Sequence, residues 1–153
     1  MKENDIKENI DNKLSELINR EGIIHKYYHF KSVQNFIYHL NKLNDKDIVI
    51  KVCIILNEYL DSVKDAPITD RMISLELFEE FIRPVGNIYE RNAGFMPMLR
   101  SWVVFFWIVF FFLILYVFSV PPVFFSLVAT SVVIYYIYII RKRIDHKVYG
   151  FMW

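Results

Sequence analysis

The sequence predicts an all-α protein in which a cytoplasmic helical bundle of three to four helices is followed by a C-terminal two-helix transmembrane hairpin. The hairpin is indicated by residues 102–140, which carry no charged side chain and are interrupted only by Pro121 and Pro122. The bundle is indicated by residues 1–95, where apolar side chains recur at helical spacing. Basic residues flank the apolar stretch and are absent from its central turn, as expected when both ends of a hairpin share one side of a membrane.

Three amphipathic segments open the chain. Residues 4–21 place apolar side chains at intervals of three and four, with charges elsewhere. Residues 24–43 continue the period with a wide, aromatic-rich face. Residues 47–61 begin with a β-branched run that also suits a buried strand, but their length and acidic first turn favour a helix.

A fourth helix is predicted to begin near Thr69 or Asp70, either of which is a suitable N-cap. Pro84 has no backbone N–H and its ring collides with the preceding turn, so this helix is expected to stop or kink near Arg83. Four short helices with apolar stripes then make a bundle joined by short loops.

The two arms of the hairpin, about residues 102–120 and 122–140, are each long enough to cross a bilayer. A helix of about nineteen residues rises roughly 28 Å, against a hydrocarbon thickness of about 30 Å. These boundaries divide the chain into a cytoplasmic α-helical domain at 1–95, the transmembrane hairpin at 96–140 and a basic, aromatic cytoplasmic tail at 141–153.

The charge pattern predicts a two-pass integral membrane protein with both termini cytoplasmic. Four basic residues and one acidic residue follow Ile140, so the tail is expected to lie against the anionic cytoplasmic leaflet as an interfacial anchor. The bilayer is therefore a predicted partner. The predicted lipid-interface residues are Arg100, Trp102, Arg141, Lys142, Arg143, Lys147 and Trp153.

The second arm carries small and hydroxyl-bearing side chains that suit helix packing in a membrane, whereas the first arm is bulky. Ser126 and Thr130 lie four residues apart, with Ala129 and Ser131 beside them. Small residues at this spacing let another helix approach closely. We expect the first arm to pack on this face, because a short turn tethers it there. The alternative is that the face joins second arms of several protomers.

No catalytic or metal signature is present. His25 and His29 lie four apart, as two metal ligands on one helix face would, but a third ligand is missing. Glu76, Glu79 and Glu80 fit a solvated helix face better than an acid–base pair. We expect a non-enzyme without metal or cofactor, with no evident small-molecule substrate and no nucleic-acid partner. Cys53 lies in an apolar run and is expected to be a buried, reduced thiol.

The function these features indicate is an integral membrane interaction or scaffolding subunit. Its anchor tethers the helical head to the membrane, and the protein self-associates as a homo-oligomer or binds a protein partner. Tyr27, Tyr28 and Phe30 are the predicted partner-binding residues, because so many aromatic side chains do not fit on one narrow buried stripe. Two alternatives stay open: an oligomeric pore-forming or membrane-perturbing effector with a sensor head, and a membrane-bending hairpin wedge.

Overall fold

The chain folds into helices joined by short connections. The computed structural model describes residues 3–19, 27–65, 68–117 and 122–151, except for the side chains at 3–6, 65, 99–102, 104, 115, 117 and 122. The helices are α1 Glu3–Ile18, α2 Phe30–Tyr38, α3 Lys46–Asp65, α4 Arg71–Leu77, α5 Arg83–Ala93, α6 Met98–Val117 and α7 Pro122–Ile144. A 3-10 turn covers Leu40–Lys42, a π-helical turn covers Phe78–Ile82, and two-residue strands lie at Met96–Pro97 (β1) and Val148–Tyr149 (β2). The predicted all-α class is confirmed.

Helices α1 to α5 form the head, and their apolar faces enclose one core. Helix α1 packs on α2 and α3, while α3 also contacts the π turn and α5. Val33, Val52, Leu56 and Ile82 lie at the centre of this core. Cys53 is buried among them, as expected. The apolar faces of these helices therefore bury one another within the head.

Helix α2 is shorter than the predicted segment at 24–43. It begins at Phe30 because His29 takes a left-handed backbone conformation, with φ 48° and ψ 22°, which no helix can include. It ends at Tyr38, and the chain continues in the tighter 3-10 turn. Residues 20–26 lie outside the described residues.

Pro84 does not end the fourth helix. Helix α4, the π turn and α5 follow one another without a break, and Pro84 lies in the first turn of α5. A π turn pairs residues five apart instead of four, so a helix can pass a proline that lacks an N–H and would crowd the usual carbonyl. The helix ends only at Gly94, which takes φ 66°.

Helices α6 and α7 lie side by side and run in opposite directions. At the head end an Arg143 guanidinium N–H donates to Met98 Sδ at 3.5 Å. At the far end the Phe112 and Phe125 rings are 6.3 Å apart. The partly buried side chains of α7 that mark its contact side recur every three or four residues: Phe125, Val128, Val132, Tyr135 and Ile139.

Within the described chain, one helix is long and apolar enough to cross a membrane. It covers Val123–Ile144 with a mean hydropathy of 2.2, and most of its apolar side chains are exposed. Helix α6 contains a shorter apolar stretch, Phe105–Ile114. The second arm of the predicted hairpin is thus long and apolar enough to be a membrane span.

The segment after α7 returns into the head. Strand β2 runs parallel to β1, with Met96 opposite Val148 and Pro97 opposite Tyr149. Val148 is 1% exposed and Tyr149 2%. The expectation that the segment after Ile140 lies against the cytoplasmic leaflet is thus corrected for two of its aromatic residues, because Tyr149 lies in the core of the head and Phe151 packs against that core.

Candidate functional site: the junction of head, hairpin and tail

The end of α5 and the end of α7 are joined by a lysine. The backbone N–H groups of Gly94 and Phe95 both point to the Tyr89 carbonyl, which closes α5. The freed Gly94 carbonyl accepts a hydrogen bond from Lys142 Nζ at 2.6 Å. The same ammonium lies 5.3 Å from the Tyr138 ring centre, within cation–π range. Lys142 therefore links the base of the hairpin to the head.

Helix α2 holds the returning segment by its backbone. From here on, the tail means residues 145–151, a shorter range than the predicted tail at 141–153. Asn35 Nδ2 donates to the Val148 carbonyl at 2.7 Å, and Ser32 Oγ accepts from the Gly150 N–H at 3.1 Å. His39 Nε2 donates to the Asp145 carbonyl at 2.6 Å. Ser32 and Asn35 lie three positions apart on one face of α2, and His39 directly follows the end of that helix.

The tail side chains fill sockets shaped for them. The Tyr149 ring lies against Gly86, where a Cβ atom would come within 2.2 Å of the ring. Its hydroxyl donates to Glu90 Oε1 at 2.5 Å. The Phe151 ring packs 5.6 Å from the His29 ring and 5.7 Å from the Phe78 ring. A glycine on a buried helix face is thus explained by the close approach of one tyrosine.

The two buried histidines are held neutral. Burial lowers the pKa of His29, and it also lowers the pKa of His39, to which the nearby positive charges of Lys42 and Lys147 contribute. Each imidazole Nε2 faces a backbone carbonyl, Ser74 in one case and Asp145 in the other. A carbonyl only accepts, so Nε2 carries the hydrogen in both rings.

His29 and Ser74 are neighbours without the arrangement of a nucleophile and its base. Ser74 Oγ is 3.2 Å from His29 Nε2, but that nitrogen already carries its proton toward the Ser74 carbonyl at 3.0 Å. The hydroxyl itself donates to the Tyr27 carbonyl at 2.8 Å. Both residues are 0% exposed, so this pair closes a loop rather than meeting a substrate.

The predicted partner-binding aromatics lie inside the head. Tyr28 is 2% and Phe30 5% exposed, and Tyr27 is partly buried against the same core. The Tyr28 hydroxyl accepts the Ile68 N–H at 2.8 Å, while its carbonyl accepts the Tyr59 hydroxyl. The expectation of outward anchors is corrected, because the turn at His29 directs these rings inward.

The small-residue face of α7 is exposed. Ser126, Ala129, Thr130 and Ser131 all lie away from α6, so the expected packing of the first arm on them is not the arrangement found. Each hydroxyl donates to a carbonyl of its own helix, at 2.7, 2.8 and 2.9 Å for Ser126, Thr130 and Ser131. The hydroxyl groups of this face are therefore hydrogen-bonded within α7, and the face is exposed so that another helix can contact it.

The predicted lipid-interface residues with described side chains lie at the end of α7 and just after it. Arg141 and Arg143 are exposed at the end of α7, and Lys147 is partly buried beside β2. Arg100 and Trp102 lie in α6 with side chains outside the description, and Trp153 lies outside the described residues. Their contact with lipid stays a prediction.

The remaining candidate residues are the histidine pair His25 and His29 and the three glutamates of the fourth helix. His25 lies outside the described residues, and the described part of the chain contains no cluster of three His, Cys, Asp or Glu side chains that could hold a metal. Glu76, Glu79 and Glu80 are exposed, and Glu79 forms an ion pair with Arg83.

Neither the hydrogen bonds from Ser32, Asn35 and His39 to the tail nor the role of Gly86 was predicted from the sequence. The one signal in the sequence is the spacing of these three polar residues, which follows the apolar side of the segment. Such a stripe in an apolar face needs buried partners.

Over the described residues, the fold and this junction define an all-α protein in which one helix is long and apolar enough to cross a membrane, and in which segments before α6 and after α7 share one core. Comparisons with protein-family models, curated proteins and solved structures give no match.

Proposed function

We propose that the protein is an integral membrane scaffold, with a two-pass hairpin that holds the head at the cytoplasmic surface and associates with other copies. The observation that carries this proposal is the contrast between the head and α7. The head buries its apolar stripes, whereas α7 exposes bulky apolar side chains along Val123–Ile144. A surface of that size is costly in water and favourable in lipid.

The tail supports two crossings rather than one. Strand β1 immediately precedes α6, strand β2 follows α7, and the two strands pair. If α7 crosses the bilayer, a chain whose flanking segments meet in one folded head must return to the side it left. Helix α6 then supplies the other crossing.

The basic residues at the end of α7 support a cytoplasmic head. Arg141, Lys142 and Arg143 close the helix, and positive charge is retained on the cytoplasmic side of membrane helices. In the proposed topology the exposed arginines lie at the level of anionic headgroups.

The open face of α7 supports self-association. Ser126, Ala129 and Thr130 let a second helix come close, and the internally bonded hydroxyls make the face tolerable in lipid before it does so. A pore is the second candidate, since the same exposed hydroxyls would line a channel if several α7 helices met around an axis.

Cysteine accessibility tests the proposed topology. In a Cys53→Ser background, single cysteines replace Asn44 in the head, Ser119 in the connection and His146 after α7. A membrane-impermeant maleimide should label positions 44 and 146 from the cytoplasmic side and position 119 from the opposite side. The proposal fails if positions 44 and 146 label from opposite sides, or if alkaline carbonate removes the protein from membranes.

A further inference from the structure

We propose that the tail is an intramolecular ligand that completes the head, so that the head reaches its stable fold only after α7 has returned the chain to it. The head and tail form one folding unit interrupted by the hairpin. The membrane part of this inference rests on the proposed two-pass anchor, whereas the dependence of the head on the tail stands on the contacts alone.

The head recognises the tail as a groove recognises an extended peptide. Asn35 and Ser32 bond to backbone atoms of Val148 and Gly150, and the Met96 N–H donates to the Lys147 carbonyl at 3.0 Å. Backbone bonds with alternate side chains in pockets are the mode by which strands are added to folded domains. The groove is thus a binding site whose occupant is supplied by the same chain.

An empty groove would leave the head incomplete. The Tyr149 ring, 2% exposed, covers Gly86 and packs 5.6 Å from Phe36, itself in the centre of the core. Without the tail, this apolar surface meets water, and the Asn35 amide loses its acceptor. Both changes favour opening of the head.

Because the tail follows α7 in the chain, its binding to the groove depends on whether both arms of the hairpin have inserted. The tail follows α7, so it reaches the groove only if both arms are placed and the chain has come back. An arm that fails to insert leaves the tail on the other side of the membrane and the groove empty. An open head is then a substrate for proteolysis, which tracks the population of open molecules.

A reversible lock tests the dependence of the head on the tail. In the Cys53→Ser full chain, Met96→Cys and Val148→Cys join facing positions of β1 and β2. Oxidation should slow tryptic loss of the intact head at least about threefold relative to the same chain reduced, because cleavage follows the open population. Equal rates in the two states would overturn the proposal.

Filling the socket is the complementary test. In the full chain Gly86→Val should release the tail, so that trypsin cuts both at Lys147 and within the head faster than in the wild type. Asn87→Val, at the exposed neighbouring position, is the control and should leave both rates unchanged. Rapid cutting at Lys147 with a head as resistant as the wild type would overturn the proposal, and if Gly86→Val does not fold, the disulfide comparison decides.

Blocking insertion tests the membrane part. Val128→Arg with Val132→Arg places two charges in the middle of α7, far from the head, and should prevent that arm from crossing. The head should then lose protease resistance in vesicles and regain it when a synthetic peptide of residues 145–153 is added. Ile140→Arg with Ile144→Arg, at the basic end of the helix, is the control.

The outcomes separate the two proposals. A resistant head in the blocked variant, with position 146 labelled outside, overturns the dependence of tail binding on insertion of the hairpin. Extraction of the wild-type protein by carbonate instead overturns the proposed anchor, and the disulfide comparison then still decides whether the tail completes the head.

Discussion

Buried polar side chains on α2 connect residues that are far apart in the chain. Ser32 and Asn35 lie on the buried face of α2 and His39 directly follows the helix, and each of the three bonds to a backbone group of the tail. A buried polar group without a partner is costly, so each of these bonds also fixes where the tail lies. His29 and Tyr59 likewise donate to backbone carbonyls, those of Ser74 and Tyr28 respectively, and these bonds also fix distant segments.

The buried histidines predict a loss of head stability in acid. An unfolded imidazole takes up its proton near the ordinary pKa of 6.5, whereas burial lowers the pKa of His29 in the folded head. The unfolded state binds more protons as the pH falls below that value, so stability is fully present above it and declines toward the lower folded pKa.

Chemical denaturation at pH 7.5 and pH 5.5 checks this expectation. His29→Gln with His39→Gln keeps a donor near each Nε2 position and removes both titrations, so the difference in stability between the two pH values should shrink. Asn44→Gln, at an exposed position without a titrating side chain, is the control and should leave that difference unchanged. Identical pH dependence in the double variant and the wild type would contradict the explanation.

Tyr59→Phe should destabilise the head by about 1–3 kcal/mol, the usual cost of leaving a buried hydrogen-bonding group unpaired. The Tyr28 carbonyl precedes α2, and the Tyr59 hydroxyl donates to it in the core. Tyr38→Phe, whose ring is largely exposed, is the matched control and should change little. Urea midpoints of the two variants in detergent provide the measurement, and equal midpoints would count against the assigned bond.

Helix α7 presents two different sides, and the packing of α6 distinguishes them. The side with Val128, Val132 and Tyr135 meets α6, while Ser126 and Thr130 lie on an open face. Hydropathy is nearly uniform around the helix, so sequence pattern alone does not rank these sides. The open face is the one available to another copy.

Ser126→Leu with Thr130→Leu should reduce self-association in membranes, because bulky side chains prevent close approach of a second helix. Mass measurement of particles extracted in native nanodiscs should show a shift toward the monomer. Leu127→Phe, at an exposed position about 100° around α7 from Ser126, is the control and should keep the distribution. An unchanged distribution in the double variant would remove this face from the assembly. Membrane conductance in the same cells separates a scaffold from a pore, since only the pore depolarises the membrane.

The molecule as a whole is a head whose sequence is interrupted by the helix pair α6 and α7. Residues 145–151 follow the hairpin yet share a core with α2 and α5. The chain therefore enters and leaves the hairpin through one pair of hydrogen-bonded strands.

Hydrogen exchange should reveal head and tail as one cooperative unit. The Gly150 and Lys147 N–H groups bond to Ser32 Oγ and the Lys142 carbonyl, so tail peptides should exchange as slowly as peptides from the buried part of α3. Mass spectrometry of the full chain in nanodiscs measures both. A tail that exchanges orders of magnitude faster than α3 would show that it opens independently of the head.

The sequence by itself determined the all-α class, the apolar span in the second arm and the burial of Cys53. These follow from composition and from periodicity over neighbouring residues, which are local properties. It also indicated approximately where the head helices lie, apart from the turn before α2 and the passage of the fourth helix through Pro84.

Only the tertiary structure decided where the tail lies, which side of α7 meets α6, and that Tyr28 and Phe30 face inward. Asn35 and Val148 are 113 positions apart. The need for glycine at position 86 arises only when the Tyr149 ring packs against it. By composition alone, a basic, aromatic tail is equally suited to bind a membrane surface or a protein groove. The choice between them is made by shape and by backbone hydrogen bonds, which exist only when distant segments meet.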